Sequence, residues 1–461
     1  MLIPAAHSIW LLLATLYAFL ALGSCSATVP ATVYAVQTEL PLPRPEYERR
    51  LTILSARGQD TQELFRAANL FMIEHPDILI SVHTIGDEND YSAALRTRLL
   101  AGERVDLFHI FGHADMIELA PHLDDLSDLY WAGGAIANTL EPVTAGDELL
   151  GLPFSIEGLG LLVNPNIFAY AGVSLAGTGE DFDTLEDAWR ELRELITLGN
   201  VLNLSFPDLR SVTALPGLDD EFISRQLSDI ALSGAFISPQ SAATASSIGS
   251  ANLTGAGLYI SLLARYTTHG GSWDMLMDIS QLDQLEALAS QRVAAIQQST
   301  EVFGTLTALN PETAEDFRLM PIPISGGGEG AVYVYSPVYW AVNAGAEDDS
   351  RALAREFLSW LYRSELGAAL IAVEMGILSP FRDTAAPTDN PMHTQLLEYI
   401  STGQILPRRY RDFPAGWASL SFATALREHF TIFEVNWPVV SGRIAEDWMG
   451  ARANYPIHAI G

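Results

Sequence analysis

The sequence predicts an α/β protein with a parallel sheet, and two observations carry that prediction. From Leu51 onward, short β-prone runs alternate with stretches of helical periodicity, and polar turn residues separate them. Leu51-Thr52-Ile53-Leu54 is the first β-prone run, followed by a polar turn from Ser55 to Asp60. Thr61 is placed to cap a helix whose Leu64, Ala68, Phe71 and Met72 share one face and which stops before Pro76. A second strand is expected at Ile78 to Ile85, a helix at Tyr91 to Ala101, a third strand at Val105 to Phe111, and a helix at Ala114 to Ala120. In such sheets ligands sit beyond the carboxyl ends of strands, here the loops Ala56 to Asp60 and Gly112 to His113.

Leu149 to Asn164 is strand-rich and punctuated by glycine, which suits a crossing between lobes. Thr184 with Asp187 reads as a capping box, and Leu185, Trp189, Leu192 and Ile196 then form a helical stripe. Ala231 to Gly257, rich in Ser, Ala and Gly, reads as a mobile loop or an inserted segment. Val293 to Ile296 is a strand, Val332 to Val342 a strand-like run dense in Tyr and Trp, and Ala352 to Leu370 an amphipathic helix ending near Gly376. Met392 to Ala453 is mostly helical in pattern.

A chain of 461 residues, 49% hydrophobic and 18% charged, is long enough for two or three domains and too apolar to be disordered in bulk. The net charge is −31, and all 25 basic residues are Arg. Such a surface repels phosphate backbones, so nucleic-acid binding by charge neutralisation is excluded. A single cysteine excludes a disulfide framework. That Cys25 follows an apolar run from Ile9 to Leu22 that fits a signal-peptide core better than a membrane span. Leu22-Gly23-Ser24-Cys25 resembles the lipobox of bacterial lipoproteins, in which the cysteine is lipidated after cleavage, although Met1 to Ser8 carries no Lys or Arg. Ser26 to Arg50, with Pro30, Pro41, Pro43 and Pro45, reads as an extended tether.

No G-x-S-x-G, H-E-x-x-H or P-loop is present, and Gly326-Gly327-Gly328 reads as a flexible loop. The clusters Asp124-Asp125 with Asp128, and Asp219-Asp220-Glu221, lack EF-hand spacing and read as solvated surface or caps. His109 and His113 stand four apart but fall on a strand and a loop, so no metal is expected, nor any cofactor. His113, at a strand's carboxyl end, is instead placed to donate a hydrogen bond to a ligand.

Several segments together resemble the family 1 extracellular solute-binding proteins of ABC transporters, of maltose-binding-protein type. They are Gly102 to Phe108, Leu123 to Leu126, Gly151-Leu152-Pro153-Phe154-Ser155-Ile156-Glu157-Gly158-Leu159-Gly160 with Val163-Asn164, and the Thr184 to Leu195 stretch. Tyr339 to Asn343, Ala352 to Leu361, Gly376 to Pro380 and Gly403 to Leu420 continue the resemblance toward the C-terminus. It implies a two-lobed, periplasmic-binding-protein-like clamp, each lobe an α/β sheet with flanking helices, closing over a solute in the cleft. The implied role is extracytoplasmic capture of a carbohydrate for ABC permease subunits by a lipid-anchored monomer, not catalysis. A secreted carbohydrate-active enzyme and a solute-binding module for a sensor are the alternatives.

The resemblance assigns substrate contacts to Arg57, Gln59, Asp60, Glu157, Tyr259, Trp273, Trp340 and Trp417, beside the His113 read from its place in the chain, with Trp417 in Pro414-Ala415-Gly416-Trp417 as the sugar-stacking ring and Trp340 facing either cleft or core. Where many sugar-binding members show a small residue followed by Trp, this chain has Gln298 to Phe303, so Glu301 is expected to supply a carboxylate. Arg57 would also admit an acidic sugar. The expected organisation is a signal peptide at 1–24, a lipid-anchored tether at 25–50, a first lobe at 51–158, and a second at 159–316. Residues 317–343 would return to the first lobe, and 344–461 would belong largely to the second.

Overall fold

The structure is a computed structural model that describes residues 47–136, 138–199, 205–217, 219, 222–249, 253–267, 279–324, 330–382, 389–411, 416–431 and 437–454. Cys25, the expected signal peptide and most of the expected tether, Trp273 and the Gly326–Gly328 run lie outside the described residues. Among the described residues no helix is long and apolar enough to cross a membrane.

In chain order the strands are β1 (Arg49–Ser55), β2 (Ile78–Thr84), β3 (Leu107–Ile110), the short pair β4 (Thr144–Ala145) and β5 (Glu148–Leu149), β6 (Leu152–Pro153), and β7 (Glu157–Val163). They continue as β8 (Ala295–Ser299), β9 (Arg318–Met320), β10 (Val332–Tyr335), β11 (Tyr339–Val342) and β12 (Ile405–Pro407). The first sheet runs β2-β1-β3-β11-β6, and its N-terminal strands pair in parallel as the alternation of strands and helices predicts. Helices Thr61–Glu74 and Asp348–Arg363 cover it, and Leu51, Ile53, Phe71, Leu353, Phe357 and Leu361 share one core.

The second sheet runs β12-β10-β7-β8, with β9 also on β7, and is mostly antiparallel. The expectation of a parallel sheet therefore holds for the first three strands, and in the second sheet for the β10–β12 pair. Chain segments that cross from one sheet to the other return in the opposite direction, and short β-prone runs carry no sign of which way they will pair. The two sheets have separate cores, and the chain passes between them at Ser155–Ile156, at Ser336–Val338 and near Ile377–Leu378. Backbone bonds tie these crossings together, from Phe154 N to Val338 O at 3.0 Å and from Ile156 N to Leu378 O at 3.1 Å.

The boundaries differ from the sequence reading. The run Val332 to Val342 is two strands in two sheets, and β9 lies in the second sheet, so most of 317–335 is not a return to the first lobe. The Asp348–Arg363 helix and the turns up to Glu374 pack on the first core instead of the second. An apolar stripe announces that a helix packs, but not against which sheet. Helix Phe182–Leu198 starts a turn earlier than expected, because the Asp181 carboxylate accepts from Thr184 N at 2.8 Å and so acts as the N-cap itself.

Ala231 to Gly257 is not a loop. It spans part of helix Ser228–Ser233, helix Pro239–Thr244 and the start of Thr254–Tyr266. Its small residues permit close packing: a Cβ on Gly257 would meet the Trp437 ring at 2.2 Å. Two aromatic rings expected in the cleft, Tyr259 and Trp417, are core, and Trp340, expected to face either cleft or core, is core as well. Tyr259 is fully buried on a helix enclosed over most of its circumference. Trp340 is buried on β11, which has neighbours on both edges, and its indole donates to Tyr362 Oη at 3.1 Å. Trp417, 3% exposed, packs edge-on against Trp448 at 5.1 Å and near Tyr410, because the turn Ala418–Phe422 folds inward onto helix Trp437–Asn454.

Trp417→Ala should therefore behave as a core truncation, lowering stability by about 3 to 5 kcal/mol in urea denaturation. A loss below about 1 kcal/mol would show that the ring is not part of this core.

Candidate functional site

The polar turn after β1 begins the site. Its geometry is fixed from below by His109 on β3, whose Nδ1 accepts from Ala56 N at 3.1 Å and lies 3.3 Å from Ser55 Oγ. Burial, followed by the nearby Arg57 charge, pushes the His109 pKa well below its ordinary value, so the ring is a neutral acceptor. Ser55 Oγ in turn accepts from Arg57 N at 3.0 Å. The loop also passes so close to Gly86 that a Cβ on Gly58 would stand 2.7 Å from Gly86 Cα. Held this way, the Arg57 guanidinium is buried, 5.4 Å from the centroid of the Phe154 ring.

Arg57 joins two lobes. Its Nε donates to Asp60 Oδ2 at 2.6 Å within the first, and its Nη2 lies 3.0 Å from Glu301 Oε1 in the turn that follows β8 of the second. Gln59 Nε2 donates to the same Glu301 oxygen at 3.1 Å. Burial disfavours the guanidinium charge, but Glu301, Asp60 and Glu157 outweigh it and hold Arg57 charged. For Asp60 burial wins, and its pKa rises despite Arg57.

Glu157 opens β7 just after the first crossing and is 6% exposed. Its Oε2 accepts from Tyr335 Oη at 2.9 Å, the two residues being direct partners in the β7–β10 ladder. Burial, then the Glu301 charge, pushes the Glu157 carboxyl up to about 8, against the opposing pull of Arg57, Tyr335 and Arg408.

These groups line a cavity of about 540 Å³ between the lobes. Ser155, Thr300, Asp389 and Asn390 add polar atoms; Ile156, Phe303, Met375 and Ile377 add apolar surface, much of it from the crossings. Of the ten residues assigned by sequence, the structure brings Arg57, Gln59, Asp60, Glu157 and Glu301 together here. His113 lies elsewhere, in a pocket of about 40 Å³ with Phe111, Tyr335, Tyr339 and Arg408 to Arg411. Burial lowers its pKa. Tyr259, Trp340 and Trp417 are in the cores, and Trp273 is outside the described residues.

Sequence reasoning missed several participants. Tyr335 was legible only as part of an aromatic run, and His109 looked like an ordinary strand residue. Glu88, at the start of helix Glu88–Ala101, pairs with Arg225 at 2.6 Å and Arg411 at 3.5 Å, both from the second lobe. A contact across lobes leaves no local signal. Among the described residues, no cluster of three or more His, Cys, Asp and Glu is arranged to hold a metal ion.

No protein-family model matches the chain, and no curated protein does. Solved structures do. The binding protein MsmE of Bacillus subtilis, in an open conformation, superposes with a TM-score of 0.70 at 16% identity, covering 88% of this chain and 98% of that one. RafE of Streptococcus pneumoniae gives 0.66 at 15% identity over 89% and 100%, and is also described in complex with raffinose. An ABC transporter solute-binding protein of Thermotoga lettingae, bound with α-D-tagatose, gives 0.65 at 15% over 87% and 99%. The fold is thus the two-lobed fold of the solute-binding proteins.

The Glu157 shift has a sign that can be checked. Its carboxyl binds a proton more tightly in the folded protein than at the ordinary glutamate value of 4.5, so stability should fall as pH rises from that value through about 8. Asp60, also raised, acts in the same direction. Thermal melts from pH 5 to 9 should show this loss, and Glu157→Gln should flatten it. An unaltered profile in the variant would mean that Glu157 titrates as a solvated carboxylate.

Proposed function

We propose that this chain is the extracytoplasmic solute-binding component of an ABC importer, that it captures a carbohydrate, and that lipid on Cys25 holds it to the outer face of the membrane. The observation that carries the reading is the open-mouthed cavity between two separately cored sheets, lined by Arg57, Gln59, Asp60, Glu157, Thr300 and Glu301. Planar donors and acceptors of this kind match sugar hydroxyls, and the apolar wall of Ile156, Phe303 and Met375 matches the C–H faces of a pyranose. Phe303 is the one phenyl ring among the described lining residues, so it takes the stacking role that Trp417 does not. The solved relatives that hold raffinose and tagatose support the solute class.

Mechanistically, a solute touching both lobes stabilises the closed arrangement by its differential affinity for it. The Arg57–Glu301 pair, formed only when the lobes meet, works in the same direction. Binding and release would then be set by hinge motion at the three crossings. The carboxyl raised to about 8 and the nearby Glu301 also resemble the acid and base pair of a glycosidase, which gives the enzyme reading a specific basis.

A thermal-shift screen over mono- to tetrasaccharides tests the proposal, since ligand at 100 times its Kd adds about 2.7 kcal/mol to stability. At least one saccharide should raise the melting temperature and be recovered unhydrolysed, and Phe303→Ala should weaken it about tenfold. Hydrolysed product would favour the enzyme, and no shift from any saccharide would contradict the carbohydrate reading.

A further inference from the structure

The charge balance of the cavity says more about its solute. Four carboxyl groups line it, from Asp60, Glu157, Glu301 and Asp389, against a single guanidinium and the His393 imidazole, whose pKa burial lowers to about 4 so that it adds no charge near neutral pH. That guanidinium is committed: Arg57 Nε to Asp60 and Nη2 to Glu301. Arg408 stands behind, pairing with Asp229 and lying 4.6 Å over the Tyr335 ring. Glu157 is left apart. More than nine-tenths buried, it has no basic side chain within 4.0 Å among the described residues. Tyr335 satisfies Oε2, and Oε1 accepts no hydrogen bond from a described residue.

A carboxylate this buried is costly when no cation touches it, since Arg57 and Arg408 act on Glu157 only from a distance, and Oε1 is left open toward the cavity. The proton that Glu157 retains toward alkaline pH offsets part of this cost. An anionic solute would meet more carboxyl groups than the one guanidinium balances. A neutral one could donate a hydroxyl to Oε1 and leave the Glu157 proton in place. An ammonium brings donor and charge together, so that Glu157 can receive it as the carboxylate and release its proton to solvent.

We infer that the solute is cationic, a saccharide bearing a protonated amine, and that Glu157 Oε1 receives the amine with Glu301 close by. This rests on the carbohydrate reading above for the saccharide and on the lining of the cavity for the charge. It departs from the sequence expectation that Arg57 would admit an acidic sugar, because Asp60 and Glu301 already occupy that side chain.

Three disaccharides of one skeleton test it by titration near neutral pH: β-1,4-linked glucosamine disaccharide, its N-acetylated form, and cellobiose. The amine form should bind at least about tenfold more tightly than the other two, as expected for a charge-assisted hydrogen bond in a desolvated site. Glu157→Gln should erase that preference, and Glu301→Gln, which keeps an acceptor oxygen for Arg57, should reduce it, with the melting temperature of each variant read beside its affinity. Equal or tighter binding of cellobiose or the acetylated form would overturn the cationic inference while leaving carbohydrate capture standing. A melting shift from spermidine with none from any saccharide would support the cationic inference and overturn the carbohydrate reading. No binding by any amine-bearing probe would overturn the inference outright.

Discussion

The Arg57 guanidinium sits buried between a carboxylate of its own loop and one from the opposite lobe, and the cleft is organised around that single cation. Desolvating a guanidinium is expensive, and the pairs with Asp60 and Glu301 offset the cost only in good geometry. The surrounding chain supplies it: Ser55 and His109 fix the backbone of the turn, and Phe154 supports the flat face of the side chain. A buried pair of this kind adds little net stability when intact, yet breaking one typically costs about 3 to 5 kcal/mol. The contact therefore acts as a clasp, favouring the joined state of the lobes without contributing much to the folding of either.

A clasp is useful only between bodies that can separate. The two sheets bury their apolar surface in different cores, and the backbone joins them at three short crossings. Interlobe contact elsewhere includes the ion pairs of Glu88 with Arg225 and Arg411, alongside the approach of helix His113–Leu119 to helix Pro239–Thr244. Contacts of this limited kind permit relative motion, whereas one large shared apolar core would not. The crossings themselves form part of the cavity wall through Ser155, Ile156, Ile377 and Leu378, so a change in hinge angle changes the space offered to a solute.

Much of the first lobe was legible because its order is local. Leu51 to Leu54, the turn to Asp60 and the helix from Thr61 are adjacent in sequence and in space, and the turn residues Arg57, Gln59 and Asp60 were found for that reason. Glu157 and Glu301 were legible through their positions beside the crossing and after a strand. The aromatic assignments failed because a Trp or Tyr has the same pattern whether its helix turns toward a cleft or a core; Trp417 and Tyr259 were settled by packing from distant chain. The affiliation of the Asp348–Arg363 helix and the role of Tyr335 likewise depend on strand pairing that no window of sequence contains.

Small-angle X-ray scattering on the purified protein, free and saturated with whichever saccharide raises its melting temperature most, addresses the clamp directly. The account predicts that the radius of gyration falls on saturation, as the lobes close and the Arg57–Glu301 contact forms in a larger share of molecules. An unchanged radius at saturating ligand would contradict it, showing that the cavity fills without movement of one lobe against the other.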